Sequence, residues 1–146
     1  MTITTKTFPE LTTEELYAIL QLRSEVFVVE QHCAYQDLDG KDQKALHIIG
    51  TQNEQLVAYT RVFGPGEYFR EASIGRVVVK PSERKHGYGR EIMNASLKAI
   101  KNSYHTTTVQ LSAQTYLKKF YNSLGFEQVG KGYLEDGIPH IGMLKK

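Results

Sequence analysis

The stretch with the clearest chemical meaning is Arg84-Lys85-His86-Gly87-Tyr88-Gly89, which follows the apolar run Val77-Val78-Val79. This order predicts a buried strand, then a basic turn, then the start of a helix. Backbone N–H groups at a helix start lack intrahelical acceptors, and the helix dipole adds positive potential there. Such a turn suits a phosphate or pyrophosphate. The alternative is a solvated loop whose glycines supply only backbone freedom.

The spacing R-x-x-G-x-G separates this turn from other phosphate loops. The P-loop pattern G-x-x-x-x-G-K-[ST] is absent, and a dinucleotide fingerprint would place its third glycine where Ile92 stands. The apolar strand before the turn, the amphipathic helix after it and the basic side chains around it favour an anion site over a plain loop.

Groups able to exchange protons lie elsewhere in the chain. Tyr121 shares a helical face with Phe120 and Leu124, so periodicity alone makes it a core tyrosine. His47 and His140 are candidate general bases because imidazole titrates near neutrality, although a lone histidine in a strand is more often structural.

Two sets of charged residues have open interpretations. Arg23 and Glu30 interrupt an apolar helix face seven residues apart, so they are expected to point the same way. They form either a structural ion pair or part of a substrate pocket. The acidic stretch Asp37, Asp39 and Asp42 is either a solvated loop or a surface that attracts a cationic acceptor.

The elements that must position these groups alternate between helix and strand, which indicates an α/β or α+β domain. The capping box Thr12-Thr13-Glu14-Glu15 opens a first helix. The element order is strand, helix, three strands, helix, strand, helix, two strands. The further predicted helices cover 86–101 and 114–124, and the predicted strands cover 45–51, 56–63, 72–80, 106–112, 126–129 and 138–144.

Composition narrows the class of protein. The 146 residues fit one domain with its own core, and the net charge of +2 argues against nucleic acid as a partner. No apolar run approaches the roughly 18 residues that span a bilayer, and the N-terminus lacks the apolar stretch of a signal peptide. Cys33 is the only cysteine and is interpreted as a buried structural thiol rather than a nucleophile. We therefore expect no membrane partner and a cytoplasmic location.

Two motifs together resemble the GNAT N-acetyltransferase superfamily. The segment from Gly75-Arg76-Val77-Val78-Val79-Lys80-Pro81 through Gly89 is similar to its acetyl-CoA signature, and Phe120-Tyr121-Asn122-Ser123-Leu124-Gly125-Phe126 is similar to its F-Y-x-x-x-G-F element. The predicted element order resembles that superfamily over nearly the whole chain. Further blocks resemble the ElaA-like branch: 22–23, 26–31, Cys33, 37–39 and 136–143.

This resemblance implies one N-acetyltransferase domain over residues 1–146. Its central sheet would be mixed and mostly antiparallel, with helices on both faces, and strands 74–79 and 107–112 would splay apart at the acetyl-CoA site. The reaction implied is direct transfer of an acetyl group from acetyl-CoA to a primary amine, small or peptide-borne, without a metal. A homodimer is possible in such a family.

The resemblance also assigns roles to residues. Tyr121 would be the general acid that protonates the departing thiolate, with Tyr116 as its competitor, and main-chain groups of Val77 and Val79 would pair with the pantetheine arm. The implied cofactor-binding residues are Val77, Val78, Val79, Arg84, Lys85, His86, Gly87, Tyr88, Gly89, Arg90, Gln114 and Tyr121.

The general base is left open. Some members carry a glutamate where Ser73 stands, so the candidates are Glu30, which would border the acceptor site, His47, His140, or a water held by such groups. The alternative to an enzyme is a non-catalytic CoA-binding module, a sensor or scaffold, which would not need the Tyr121 hydroxyl.

Overall fold

The structure is a computed structural model that describes residues 1–146. Seven strands form one sheet in the order β1-β2-β3-β4-β5-β7-β6. The helices are α1 (Thr13–Arg23), α2 (Tyr88–Tyr104) and α3 (Lys118–Ser123), and a π-helical segment (Ser24–Glu30) follows α1 directly. The strands are β1 (Thr2–Thr7), β2 (Leu46–Gln52), β3 (Gln55–Phe63), β4 (Ala72–Val79), β5 (Val109–Gln114), β6 (Glu127–Glu135) and β7 (Ile138–Lys145). No helix has the length and apolar character needed to cross a bilayer.

The sheet opens between β4 and β5. All strand pairs are antiparallel except this one, which is parallel and joined only at Ala72 with Val109 and at Ser73 with Gln110. Beyond Ser73 the two strands separate, so the edge of β4 that faces β5 has backbone groups without a ladder partner. The predicted sheet, mostly antiparallel and splayed at this position, is confirmed.

A β-bulge bends β4 at the opening. Tyr59 pairs with Val78 and Arg61 pairs with Gly75, so Thr60 opposes two residues of β4, Arg76 and Val77. Arg76 takes a left-handed φ of 50°, which is uncommon for a residue with a side chain. Bulges of this kind re-aim the backbone and frequently lie beside functional sites.

The two faces of the sheet carry separate apolar cores. On one face, α2 contributes Ile92, Met93 and Ile100 to a core of 17 buried residues that also contains Tyr121 and Phe126. On the other, α1 and the π-helical segment pack on β2, β3 and β4 through Ile19, Leu22, Val26, Ile49, Tyr59 and Val78. Helices on both faces were predicted, and this prediction is confirmed.

Local signals set several element ends. Glu15 N donates to Thr12 Oγ1 at 3.1 Å and Thr12 N donates to Glu15 Oε1 at 2.9 Å, so the predicted capping box is present. Asn53 and Glu54 both have positive φ, 51° and 63°, as a two-residue hairpin turn requires. The predicted strand 106–112 begins later, at Val109, and the predicted helix 114–124 opens with a 3₁₀ turn before α3.

The first helix differs from the prediction in a way that matters for the site. Its last turns are π-helical, with wider i→i+5 turns, from Ser24 to Glu30. The 3.6-residue period therefore no longer relates Arg23 to Glu30, and the expectation that they point the same way is wrong. Arg23 is fully buried, whereas Glu30 is exposed and pairs with Arg84.

Candidate functional site

The opening between β4 and β5 leads into two adjoining spaces. The outer groove, about 1210 Å³ including its open mouth, lies along residues 77–79 of β4. The second space, called the inner cavity, measures about 970 Å³ on the same basis and lies between β4, β5 and the turn joining β6 to β7. The residues that line both spaces are Phe27, Gln31, Val77, Gln114, Leu117 and Tyr121. A bound molecule in the groove and another in the cavity would meet at this junction.

The basic turn lies at the start of α2 and beside the outer groove. Gly87 is the N-cap of this 17-residue helix and takes a φ of 76°, which a glycine adopts without strain. Lys85 has a similar φ of 75°. Glu91 N donates to Gly87 O as the first helical bond, so the amides that precede it in the helix have no helical acceptor. Gly89 lines the groove, where its missing side chain leaves the backbone open.

Arg84 closes one side of the outer groove. Its guanidinium donates to both carboxylate oxygens of Glu30, at 2.9 and 2.7 Å, and its Nε donates to Val79 O at 3.3 Å. These hydrogen bonds lower the pKa of Glu30 and raise that of Arg84. Glu30 lines the groove and is not among the residues of the inner cavity.

Three further residues of the turn, Lys85, His86 and Arg90, do not line the groove. Arg90 donates to Ser123 Oγ at 2.7 Å and lies over the Phe120 ring, linking α2 to α3. Lys85 and His86 are exposed, and His86 Nε2 lies 3.9 Å from Glu83.

Tyr121 lies at the junction and Tyr116 does not. The Tyr121 ring is 5% exposed and packs edge-on against Phe120 and Phe126. Burial raises the pKa of its phenol, so the hydroxyl is protonated at neutral pH. Tyr116 is 76% exposed and lines only the outer groove.

His140 lines the inner cavity. Its Nδ1 lies 2.7 Å from Ile138 O, an acceptor, so in the neutral ring Nδ1 carries the proton and Nε2 is the nitrogen that can accept one. Nε2 lies 3.4 Å from Glu135 Oε2, and Ser112 Oγ donates to Glu135 Oε1 at 3.3 Å. Both neighbours also line the cavity.

His47 lies in a different place. It is fully buried, with Nε2 2.9 Å from Asp42 O and Nδ1 2.7 Å from the Tyr59 hydroxyl. Burial lowers its pKa, and both ring nitrogens have partners. It lines neither the groove nor the cavity, so the structure does not bring it together with Tyr121 and His140.

The acidic stretch forms part of an ion cluster beneath the inner cavity, neither a solvated loop nor a free attracting surface. Arg23 Nε donates to Asp37 at 2.8 Å and its NH1 donates to Asp42 at 2.7 Å. Arg61 NH1 reaches Asp42 at 3.0 Å and Asp39 at 2.8 Å. The predictions of a solvated loop and of a surface that attracts a cationic acceptor are therefore both wrong.

A third arginine completes the cluster. Arg76, at the bulge, places Nε 2.7 Å from Asp37 Oδ1, at an angle that makes this an ion pair rather than a hydrogen bond. Three guanidiniums thus face three carboxylates, and the charges balance. Arg61 and Arg76 also line the cavity.

Several cavity residues escaped the sequence analysis. The aromatic residues Tyr35, Phe63, Tyr68 and Phe69 line it, as do the acidic residues Glu135 and Asp136. The one detectable signal was Arg61, a charge inside the apolar run 56–63, because a buried arginine needs carboxylate partners. Cys33 also borders the cavity, where its Sγ donates to Asp136 O at 3.3 Å.

Comparisons with known proteins agree with this geometry. The family model described as an acetyltransferase (GNAT) domain matches residues 8–146. The Protein ElaA of Escherichia coli K12 is 44% identical over 139 residues, which cover 94% of this chain and 91% of that protein.

Solved structures give the same result. An acyl-CoA N-acyltransferase from Pseudomonas aeruginosa aligns with a TM-score of 0.94 at 44% identity, over 99% of both chains. Escherichia coli ElaA aligns with a TM-score of 0.92 at 41% identity, also over 99% of both chains. The chain therefore belongs to the GNAT acetyltransferase family and is ElaA-like.

Proposed function

We propose that this chain transfers an acetyl group from acetyl-CoA directly to a primary amine, in a complex that holds both molecules at once. The single observation that carries the proposal is the junction, where Tyr121 lines both the groove beside the basic turn and the adjoining cavity. Membership of the family supports acyl transfer, and the similar Pseudomonas protein is an acyl-CoA N-acyltransferase.

The outer groove fits acetyl-CoA in two respects. The unpaired edge of β4 offers Val77 and Val79 main-chain groups to an amide-bearing arm, as a neighbouring strand would. The amides of residues 87–89 and the side chain of Arg84 suit a pyrophosphate at the start of α2. Acetyl-CoA supplies the activated acyl group, whose C–S bond breaks as the C–N bond to the amine forms.

The chain's own residues then handle protons and charge. We assign Tyr121 as the general acid, because it lies at the junction of the groove and the cavity and its buried hydroxyl stays protonated. We assign His140 as the base that takes the amine proton at Nε2, since its Nδ1 proton is held by Ile138 O. A backbone N–H beside the Arg76 bulge is the proposed donor to the thioester oxygen.

His140 is preferred over the other two candidate bases on position. Both carboxylate oxygens of Glu30 accept hydrogen bonds from Arg84 in the groove. Both ring nitrogens of His47 have hydrogen-bond partners in the core. We further propose a cytoplasmic setting, where a lone thiol such as Cys33 stays reduced. A homodimer stays an expectation from the family resemblance.

Replacing Tyr121 with phenylalanine tests the proposal. We expect Tyr121→Phe to keep its affinity for CoA and to lose about 10²- to 10⁴-fold in kcat, because only proton donation is removed. The assay is release of free thiol from acetyl-CoA in the presence of a panel of primary amines. Tyr116→Phe, at an exposed tyrosine of the same groove, is the matched control and should change kcat by about twofold at most.

Two results would count against the proposal. An unchanged kcat in Tyr121→Phe would remove this residue from the mechanism. Tight CoA binding with no thiol release for any amine would favour the non-catalytic CoA-binding module instead.

A further inference from the structure

The inner cavity has an aromatic wall that the proposed mechanism does not use. Phe63 ends β3, and Tyr68 and Phe69 follow in the loop to β4. The Phe63 and Tyr68 ring centroids lie 5.1 Å apart, and Tyr68 meets Phe69 edge-on at 4.9 Å. Phe27 and Tyr35 border the same cavity. Such a concentration of rings favours a ligand with a flat or bulky apolar body.

The wall is held in place before any ligand arrives. Gly66 N donates to Phe69 O at 2.9 Å, and Glu67 N donates to Gly64 O at 3.1 Å, so the loop closes on itself. The Arg61 guanidinium lies 5.0 Å from the Phe63 ring centroid and 5.8 Å from that of Tyr68. A ligand ring would therefore meet a preformed surface and cost little ordering entropy.

The charged residues of the cavity favour a positively charged ligand. Arg61 and Arg76 are neutralised by the aspartates of the ion cluster. Glu135, the last residue of β6, and Asp136, in the turn to β7, have no lysine or arginine partner. Glu135 has His140 Nε2 at 3.4 Å and accepts from Ser112 Oγ at 3.3 Å. Two carboxylates are thus left over, which attract an ammonium and repel a second carboxylate.

A second positive charge on the ligand is disfavoured beside the wall. Lys41 Nζ lies 4.6 Å from the centroid of the Tyr68 ring. A polyamine would have to place another ammonium near this lysine. Its apolar segments are also too thin to cover the wall.

We propose that the acceptor is a primary amine with a single positive charge, an aromatic or similarly bulky apolar body, and no carboxylate. Its ring would pack on Tyr68 and Phe69, which Phe63 supports from behind, and its ammonium would face Glu135 and His140. This inference rests on the proposed amine transfer and adds the class of substrate.

A panel of four amines with acetyl-CoA tests it, with thiol release as the readout. The probes are 2-phenylethylamine, phenylalanine, n-butylamine and spermidine. We expect kcat/KM for 2-phenylethylamine to exceed that for butylamine by at least about tenfold, the factor expected for burying the ring. Phenylalanine, which adds only a carboxylate, should fall at least about tenfold below 2-phenylethylamine.

Variants connect this preference to the wall. In Phe69→Ala, the ratio of kcat/KM for 2-phenylethylamine to that for butylamine should fall by about tenfold, and in Phe69→Leu by less. Tyr17→Ala, at an exposed tyrosine on α1 far from the cavity lining, should leave the ratio unchanged. Glu135→Gln should narrow the gap between phenylalanine and 2-phenylethylamine.

The outcomes separate the two proposals. Faster turnover of spermidine, butylamine or phenylalanine than of 2-phenylethylamine would overturn this inference and leave amine transfer standing. An unchanged ratio in both Phe69 variants would also overturn it. No thiol release with any of the four amines, while CoA still binds, would remove the proposed transfer and this inference with it.

Discussion

Asp42→Asn removes one charge from the centre of the ion cluster. Its Oδ1 accepts from Arg23 NH1 at 2.7 Å and from Arg61 NH1 at 3.0 Å, and the two arginine side chains are 0% and 1% exposed. Burial by itself raises the pKa of Asp42, but the hydrogen bonds from Arg23 and Arg61 outweigh it and keep that pKa below its usual value. The carboxylate is therefore charged at pH 7, and the variant leaves the buried guanidiniums of Arg23 and Arg61 and the partly exposed one of Arg76 facing two carboxylates.

The loss in free energy of unfolding depends on the carboxylate partners that Arg23 and Arg61 keep in the variant. Breaking a buried ion pair by removing one partner costs roughly 3–5 kcal/mol. We expect the lower end, about 3 kcal/mol, because Arg23 keeps Asp37 and Arg61 keeps Asp39. In a chain of 146 residues this lowers Tm by roughly 10 °C.

Urea unfolding at pH 7, with the m-value checked, measures the loss. Asp136→Asn is the matched control, since Asp136 lies in an exposed turn at a φ of 52° that asparagine also tolerates. That control should stay within about 0.5 kcal/mol of the parent. A loss in Asp42→Asn no larger than in the control would refute the view that the cluster stabilises the floor of the cavity.

Two further predictions concern Asp39 and Glu30. Burial by itself raises the pKa of Asp39, but hydrogen bonds from Arg61 outweigh it and lower this pKa to about 2. The stability that the charged Asp39 adds to the folded state is therefore present above about pH 4 and is lost as the pH falls towards 2. Urea unfolding from pH 6 to pH 2 should show this loss, about 1 to 2 kcal/mol after a discount for partial exposure, and Asp39→Asn should flatten the slope. Glu30→Gln releases Arg84, so calorimetry should find CoA bound up to about fivefold tighter, as expected for an exposed ion pair broken on binding. Glu25→Gln is the control, and weaker CoA binding in Glu30→Gln would instead mean that Glu30 holds Arg84 in its binding position.

Local patterns in the chain were enough to predict the basic turn, the first helix cap and the order of elements. Each depends on neighbours within a few residues: Gly87 at the N-cap of α2, Thr12 with Glu15, and Asn53-Glu54 between two strands. The position of Tyr121 on the inner face of its helix also followed from periodicity, and the family resemblance added its role.

Other features depend on contacts between distant parts of the chain. The π-helical turns after Arg23 break the 3.6-residue period, and no local signal marks where they begin. As a result Glu30 turns towards Arg84, 54 residues away, while Arg23 pairs with Asp37 and Asp42. Sequence spacing does not predict which distant charged residues will pair, because the tertiary fold decides which of them come into contact.

The proposed donor and acceptor sides of the site differ in the same way. The residues proposed to bind the pantetheine arm and the pyrophosphate come from one continuous stretch, β4, the turn and the start of α2, whose strand–turn–helix pattern a single sequence displays. The proposed acceptor side is assembled from the β3–β4 loop, the π-helical segment, β5 and the β6–β7 turn, which only the splayed sheet brings together. Its aromatic wall and its acidic residues Glu135 and Asp136 could be brought together only in three dimensions, because each residue taken singly is typical of an ordinary loop or strand end.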